Sequence, residues 1–362
     1  MLPTIKSDLS RHDSGGVRAS SGIAVLADDL TGACDAAVAF VTATRKARVW
    51  LGPHALWLAN EEVQAFNTDS RALDAEQAAA LVRRAASAWA PARLVLKKID
   101  SAGRGPIAAE VLALEKVVSP SAVILAPAFP AAGRVVRHGV LHIRDQAGTE
   151  NSVVLADLFP AEALARVAIV EDLSMLRSVS LPDPRILICD AGSAEDMAAL
   201  VQATREWKHC LYVGSAGLAR SLAEVRGGHA ASPRPPSVDR LLIVSGTSHL
   251  LTEMQLRHLP SGLAGVRVIQ LQWNGEERQG LLEAFHSFSP QALLLTGGET
   301  ALFVLRLLQA ESIQLEGECA PGIPWGIVQG GEADGRIAIT KSGGFGAVHA
   351  LRDIAEGCRR KP

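Results

Sequence analysis

Two aspartates stand side by side in the run Asp28-Asp29-Leu30-Thr31-Gly32, directly after the apolar stretch Ile23-Ala24-Val25-Leu26. Adjacent carboxylates beside a hydroxyl can hold a metal ion, take a proton from a substrate hydroxyl, or cap a helix. Capping accounts for one aspartate, so the second points to a site containing Asp28, Asp29 and Thr31. Two more polar runs follow apolar ones: Asn67-Thr68-Asp69-Ser70-Arg71, and Lys97-Lys98-Ile99-Asp100-Ser101-Ala102-Gly103-Arg104-Gly105. Arginine offers a planar fork to a carboxylate or phosphate, and lysine a point charge. Arg71, Lys98 and Arg104 are therefore expected to hold an anion together. Taken one by one, the simpler expectation is that Arg71 and Lys98 pair with Asp69 and Asp100 as solvated rim charges.

A second group of residues is rich in glycine. Ser245-Gly246-Thr247-Ser248, Thr296-Gly297-Gly298-Glu299-Thr300 and Lys341-Ser342-Gly343-Gly344-Phe345-Gly346 each follow an apolar run. Without a Cβ in the way, backbone N–H groups approach phosphates closely, and a following helix adds the positive end of its dipole. Three such loops point to phosphate binding, although each alone reads as a turn. A fourth, Gly214-Ser215-Ala216-Gly217, suits helix packing. Gly103-Arg104-Gly105-Pro106-Ile107-Ala108 matches a dinucleotide fingerprint. The acidic residue required at the next strand end is replaced by Ala126-Pro127-Ala128-Phe129, so close chain packing explains these glycines better. There is no Gly-Lys-Ser/Thr phosphate loop, no His-Glu-x-x-His metal site and no Gly-x-Ser-x-Gly elbow. His138 and His142 lack a third ligand and are expected to be structural or exposed.

These residues need strands that end where they begin. From Gly22 onward, short β-branched runs alternate with longer Ala/Leu-rich runs of helical spacing, which predicts a parallel sheet. Strands are expected at 23–26, 47–51, 63–67, 94–99, 122–126, 186–189 and 211–213, several apolar throughout as strands covered on both faces should be. Helices are expected over 31–44, 74–89 and 106–118. Further strands follow at 241–244, 266–271, 292–295, 326–328 and 337–339. Between the two series lies Gly227-Gly228-His229-Ala230-Ala231-Ser232-Pro233-Arg234-Pro235-Pro236, a flexible, ladder-breaking stretch. The expected organisation is a disordered tail (1–20), an N-terminal domain (21–227), a linker (228–237) and a C-terminal domain (238–362). The fold class is α/β, with two domains that each carry a mainly parallel sheet flanked by helices. Ligands bind beyond the carboxyl ends of such strands, which puts the active site in the cleft between the domains.

The 362 residues exceed what one core usually serves, consistent with two domains. With 36 basic against 38 acidic side chains, nothing in the global charge favours nucleic acid or an anionic membrane. No run of eighteen uncharged apolar residues exists to span a membrane. Five cysteines without a Cys-x-x-Cys pair suggest reduced thiols and a cytoplasmic location.

Read in order, the motifs resemble the four-carbon acid sugar kinases, which include D-threonate, D-erythronate and 3-oxo-tetronate kinases. The resemblance is carried by Ala27 to Ala33, Asn67 to Arg71, Lys97 to Ser101, Ala126 to Pro130 with Gly133-Arg134, Gly214 to Leu218, Thr296 to Thr300, Pro321 to Pro324 and Lys341 to Gly346. It implies a sugar-acid-binding N-terminal domain, an ATP-binding C-terminal domain and transfer to the terminal hydroxyl of the acid. It implies nucleotide contacts at Ser245, Gly297, Gly298, Glu299, Thr300 and Gly343, an expectation that extends to Gly322 and Gly344. Thr31, Arg71, Lys98, Asp100 and Arg104 are the expected substrate contacts. Asp28 or Asp29 would take the hydroxyl proton or orient Mg²⁺; which residues would bind the metal stays open. Family members commonly read Asp-Ser-Thr-Leu-Arg-Gly-Asn where this chain has Asp100-Ser101-Ala102-Gly103-Arg104-Gly105-Pro106, and Asn where it has Cys34. A non-catalytic sensor and a dinucleotide-dependent dehydrogenase stand as alternatives, and a homodimer stays open.

Overall fold

The computed structural model describes residues 22–53, 57–87, 92, 94–144, 148–177, 185–225, 234–260 and 262–358. The expected tail and most of the expected linker lie outside the described residues. The first half of the chain runs β1 (Ile23–Ala27), α1 (Leu30–Val38), β2 (Ala47–Trp50), β3 (Val63–Asn67), α2 (Ala75–Ser87), β4 (Leu94–Lys98), α3 (Ile107–Val118) and β5 (Ala122–Ala126). It continues with β6 (Arg134–Arg137), β7 (Val140–Arg144), β8 (Glu150–Val154), α4 (Ala161–Leu164), β9 (Val167–Val170), β10 (Arg185–Cys189), α5 (Ala194–Ala203), β11 (Cys210–Gly214) and α6 (Ala216–Val225). The second half contains β12 (Leu241–Ser245), α7 (Leu250–Arg257), β13 (Val266–Gln270), α8 (Glu277–Phe288), β14 (Ala292–Thr296) and α9 (Gly298–Leu307). It ends with β15 (Ser312–Ala320), β16 (Ile323–Gln329), β17 (Ile337–Lys341) and α10 (Ala350–Gly357). None of the described helices is long and apolar enough to cross a membrane.

The α/β class holds, but the expectation of two separate sheets does not. A single 14-stranded sheet runs β13-β12-β14-β17-β16-β15-β2-β3-β1-β4-β11-β5-β10-β9. Its N-terminal part, from β2 to β9, is parallel throughout. In the C-terminal part β13, β12, β14 and β17 are parallel, while β16 and β15 turn antiparallel. The two parts join where β15 pairs antiparallel with β2, Ser312 opposite Trp50 and Leu315 opposite Ala47. Sequence reading missed β15 because Gln314, Glu316 and Glu318 interrupt its apolar residues. Their spacing is the period of two of a strand whose faces differ, and Ile313 and Leu315 are the buried members.

Strand periodicity also sorts the core. Leu242 and Val244 of β12 join a hydrophobic cluster that extends from β1 through both halves, while Leu241 and Ile243 face a second cluster beneath α10. Every residue of β1, β4, β12 and β14 is buried, as expected when helices cover both faces. A small antiparallel sheet, β6-β7-β8, stands apart from the main one. It packs over the turn after β4, where a Cβ at Gly103 would touch Val153 and Leu141. Sequence reading missed these short strands, which lie half in solvent.

Candidate active site

At the end of β1, Asp29 caps α1: its extended backbone lets Oδ1 accept from the Gly32 N–H at 3.0 Å, while Oδ2 accepts from the Thr31 hydroxyl at 2.6 Å. The pairing of β1 with β3 and β4 sets Ala27 opposite both Asn67 and Lys98, so the polar residues after all three strands meet. Arg71 reaches across, donating from Nε and Nη2 to the two oxygens of Asp28 at 2.8 and 2.9 Å. Its Nη2 also donates to Asp29 Oδ1 at 2.7 Å, and Nη1 lies 3.7 Å from Asp100. Arg104 closes a second fork on Asp100 at 2.8 Å to each oxygen. Lys98 donates to the Ile99 carbonyl at 2.9 Å, with its ammonium beside Gly32, where a Cβ would come within 2.9 Å of Nζ.

The predicted pairing is thus corrected in its partners. Arg71 engages Asp28, Asp29 and Asp100, whereas Asp69 accepts from Arg306 of α9 at 2.9 Å. Burial works to raise the Asp29 pKa, but the charges of Arg71 and Lys98 and the Thr31 hydroxyl outweigh it and hold the carboxyl below its ordinary value. Burial likewise opposes ionisation of Asp100, and the Arg104 fork with Arg71 and Lys98 overcomes it, so its pKa too is lowered. Three carboxylates and three basic side chains therefore share one strand-end cluster.

The glycine loops of the second half face this cluster. Gly297, with φ of 100°, starts α9, and a Cβ at Gly298 would stand 2.7 Å from Asp29 Oδ2 and 3.2 Å from Thr31 Oγ1. The α9 N-terminus, carrying the positive end of a helix dipole, therefore lies directly against the Asp29 carboxylate. Thr300 on the first turn accepts from the Gly246 N–H at 3.0 Å. Thr247 sits where the loops meet, since Cβ atoms at Gly297 and Gly343 would both contact its side chain. Ser245 is buried at the end of β12, and Gly344 abuts His249. Glu299 is exposed on the first turn of α9. Gly322 packs against Phe345, donates its N–H to Glu318 at 2.8 Å, and belongs to the wall of this region.

Several contributors were not legible beforehand. Lys341 is buried beneath its own loop, donating to the Thr252 hydroxyl at 3.2 Å and to the carbonyls of Ser342, Gly343 and Phe345 at 3.0 to 3.3 Å. Burial pushes its pKa down to about 7. Phe345 in turn meets Phe129 across the two halves, with ring centroids 6.1 Å apart. Arg220 of α6 bridges Glu318 at 2.8 Å and Asp35 of α1 at 3.4 Å. Lys97 turns away from Lys98, as alternation along β4 requires, and pairs with Glu110 at 3.0 Å in the interior. The dinucleotide-like glycines serve packing: Gly105, with φ of 95°, leaves room for the Arg71 backbone. A Cβ at Gly214 or Gly217 would collide with the carbonyls of Ala126 or Ala128, the close approach expected of that loop. His138 is exposed and pairs with Glu171 at 2.7 Å; His142 is also exposed.

The sequence pattern described as "Sugar-binding N-terminal domain" matches residues 23–172, and that described as "Nucleotide-binding C-terminal domain" matches residues 275–351. A D-threonate kinase from Bordetella bronchiseptica is 30% identical over 406 residues, covering 94% of this chain and 98% of that protein. The chain belongs to the four-carbon acid sugar kinase family. By family, then, it is a phosphotransferase. A second relative of this kinase, a D-threonate kinase from Salmonella typhimurium, is 28% identical over 91% of this chain and 96% of its own. A solved chain from Salmonella typhimurium LT2 superposes with a TM-score of 0.70, covering 92% of this chain and 98% of its own. At 20% identity that likeness shows the shared fold alone.

Proposed function

We propose that this kinase transfers the γ-phosphoryl group of ATP to the terminal hydroxyl of a four-carbon sugar acid such as threonate or erythronate, in the cleft between residues 21–227 and 238–362. The observation that carries the reading is the contact of Asp29 Oδ2 with the Gly298 end of α9, which joins the carboxylate–cation cluster to the glycine loops. Phosphoryl transfer depends chiefly on positioning and charge neutralisation, and this junction supplies both.

Lys98, Arg104 and the outer edge of Arg71 are the cations available to a substrate carboxylate. Asp29 is assigned to the acceptor hydroxyl rather than Asp28, because both oxygens of Asp28 are held by Arg71. Among the described residues Asp29 Oδ2 accepts only from Thr31, and it faces α9. As the new bond forms between the substrate oxygen and Pγ, the bond from Pγ to the bridging oxygen of ADP breaks and the hydroxyl proton passes to Asp29. Its lowered pKa keeps it ionised at neutral pH, a ready acceptor though a weak base. That suffices in a loose transition state, where the proton leaves late. Backbone N–H groups at Gly298, Gly343 and Gly344 would receive the phosphates, that of Gly297 being held by the Lys341 carbonyl at 2.8 Å, and the α9 dipole favours their charge.

Mg²⁺ fits this donor set: a hard cation that keeps most of its ligands as water and phosphate needs only one or two carboxylates, and Asp29 and Glu299 flank the Gly297-Gly298 turn. When bound it would neutralise charge on the β- and γ-phosphates.

The test is ADP release by purified protein with Mg²⁺-ATP and a panel of threonates, erythronates and 3-oxo-tetronates, beside thermal stabilisation by each ligand. Turnover with one acid names the substrate. Stabilisation by ATP and an acid without ADP release would instead identify a sensor built on the kinase fold.

A further inference from the structure

The sheet register extends the phosphate loops toward the outer edge. Thr296 at the end of β14 lies opposite Ser245 of β12, and Ser245 lies opposite Gln270 of β13. Two strand spacings, roughly 10 Å, therefore separate the Gly297 turn from the chain leaving β13. There a cavity of about 610 Å³ opens, bordered by Ser248, Glu253, Arg257, Gln270, Gln272 and Trp273. That volume falls within the roughly 300–1,000 Å³ of small-molecule clefts.

Trp273 is the unusual member. Its backbone is left-handed, with φ of 55°, a conformation rare for a bulky residue and one that re-aims its side chain. The indole Nε1 donates to the Gly246 carbonyl at 2.6 Å, the indole and Phe303 of α9 meet in a T-shaped arrangement with centroids 5.4 Å apart, and 45% of the residue stays exposed. Any side chain at Gly246 would strike the ring, since a Cβ there would lie 2.7 Å from it. A large aromatic side chain is thus held by two contacts, tied to the same loop that Thr300 holds against α9, and left partly open beside polar amides.

Building on the kinase reading, we infer that Trp273 is the stacking platform for the purine base of the nucleotide, and that this cavity is the base subsite. The triphosphate then runs from the Gly297-Gly298 turn past Ser245 to Thr247, and the base lies on the indole. Base-on-aromatic stacking tolerates any purine, so Trp273 contributes affinity, and the carboxamides of Gln270 and Gln272, each both donor and acceptor, contribute choice of base.

The experiment compares ATP with inorganic tripolyphosphate, which carries the phosphates alone, by calorimetric titration of the wild type, Trp273→Ala and Trp273→Phe in Mg²⁺ buffer. The expected result is a loss of ATP affinity of roughly 5- to 100-fold in Trp273→Ala. Trp273→Phe should restore most of it, and tripolyphosphate binding should stay equal in all three. Quenching of tryptophan fluorescence by ATP should also disappear in Trp273→Phe. Equal losses for ATP and tripolyphosphate would mean that the indole only shapes the Gly246 loop, and unchanged ATP affinity would place the base elsewhere; either overturns the subsite while leaving the kinase reading intact. Wild-type protein that binds neither ligand would overturn both.

Discussion

Asp28 and Asp29 are neighbours in sequence with opposite surroundings. Asp28 is buried with both oxygens on Arg71, while Asp29 shares one oxygen with Arg71 and turns the other toward α9. Asp29→Asn keeps the helix cap, because asparagine caps as well as aspartate. It should lower kcat by at least about 100-fold, with ATP affinity retained, in a coupled ADP-release assay. A loss under tenfold, together with a large loss in Asp28→Asn, would reassign the proton acceptor. Arg71→Met leaves the buried Asp28 without its counter-charge and should destabilise the fold by about 3–5 kcal/mol in urea titration. Lys341 gives a pH signature. Its folded pKa of about 7 lies below the ordinary value of 10.5, so between the two the unfolded chain binds more protons and stability rises with pH. Below pH ~7 both states are protonated and the cost of burying the charge is complete. Urea midpoints from pH 6.5 to 10 should therefore rise for the wild type relative to Lys341→Met. A constant difference would mean that the loop carbonyls keep the amine charged. The sequence revealed the aspartates and the glycine loops because strand-end position alone marks them. It did not reveal that Arg71 joins three aspartates, which depends on the register of β3 and β4 against β1, or that Trp273 lies against the Gly246 loop, which depends on a left-handed backbone.

At the scale of elements, the contact that matters is between two helix beginnings. The α1 and α9 N-termini approach through Gly32 and Gly298, the residues that leave space around the Asp29 carboxylate. Gly298 has no positive φ, so its need for glycine is steric only. Gly298→Ala adds a good helix former to the first turn of α9 and should leave the melting temperature within a few degrees. The added methyl meets Asp29 Oδ2, so kcat/KM should fall by at least about tenfold, as expected when a reacting group is displaced by a fraction of an ångström. Unchanged kcat/KM would show that Asp29 does not act from this position. Most of the parallel strands were legible from periodicity to within a few residues, although β9 was not, and the helix expected over 31–44 ends at Val38. The β6-β7-β8 sheet and β15 were not, because half-exposed strands carry polar residues that resemble loops until their alternation is counted.

At the scale of the whole molecule, one sheet and one hydrophobic cluster run through both halves. Cooperative units follow shared cores, so calorimetry should give a single transition, with Trp207 in the first half and Trp325 in the second reporting the same midpoint. Two resolved transitions, only one of them moved by ATP, would show that the β2–β15 pairing does not couple the halves. The sequence suggested two bodies joined by a proline-rich segment; the apolar runs specify the strands, but nothing local specifies that β15 crosses over to pair with β2.

That crossing limits how such a kinase can be rebuilt from parts. Exchanging its nucleotide-binding half for that of a relative, cut at the proline-rich segment, severs no strand yet asks a foreign β15 to continue a resident β2. Arg48 of β2 donates to Ser312 of β15 at 3.0 Å, and Lys46 pairs with Glu316. A chimaera has to carry these four residues over as a matched set. The transferable module is therefore defined by a ladder between the halves, and its natural border in space falls far from its border in sequence.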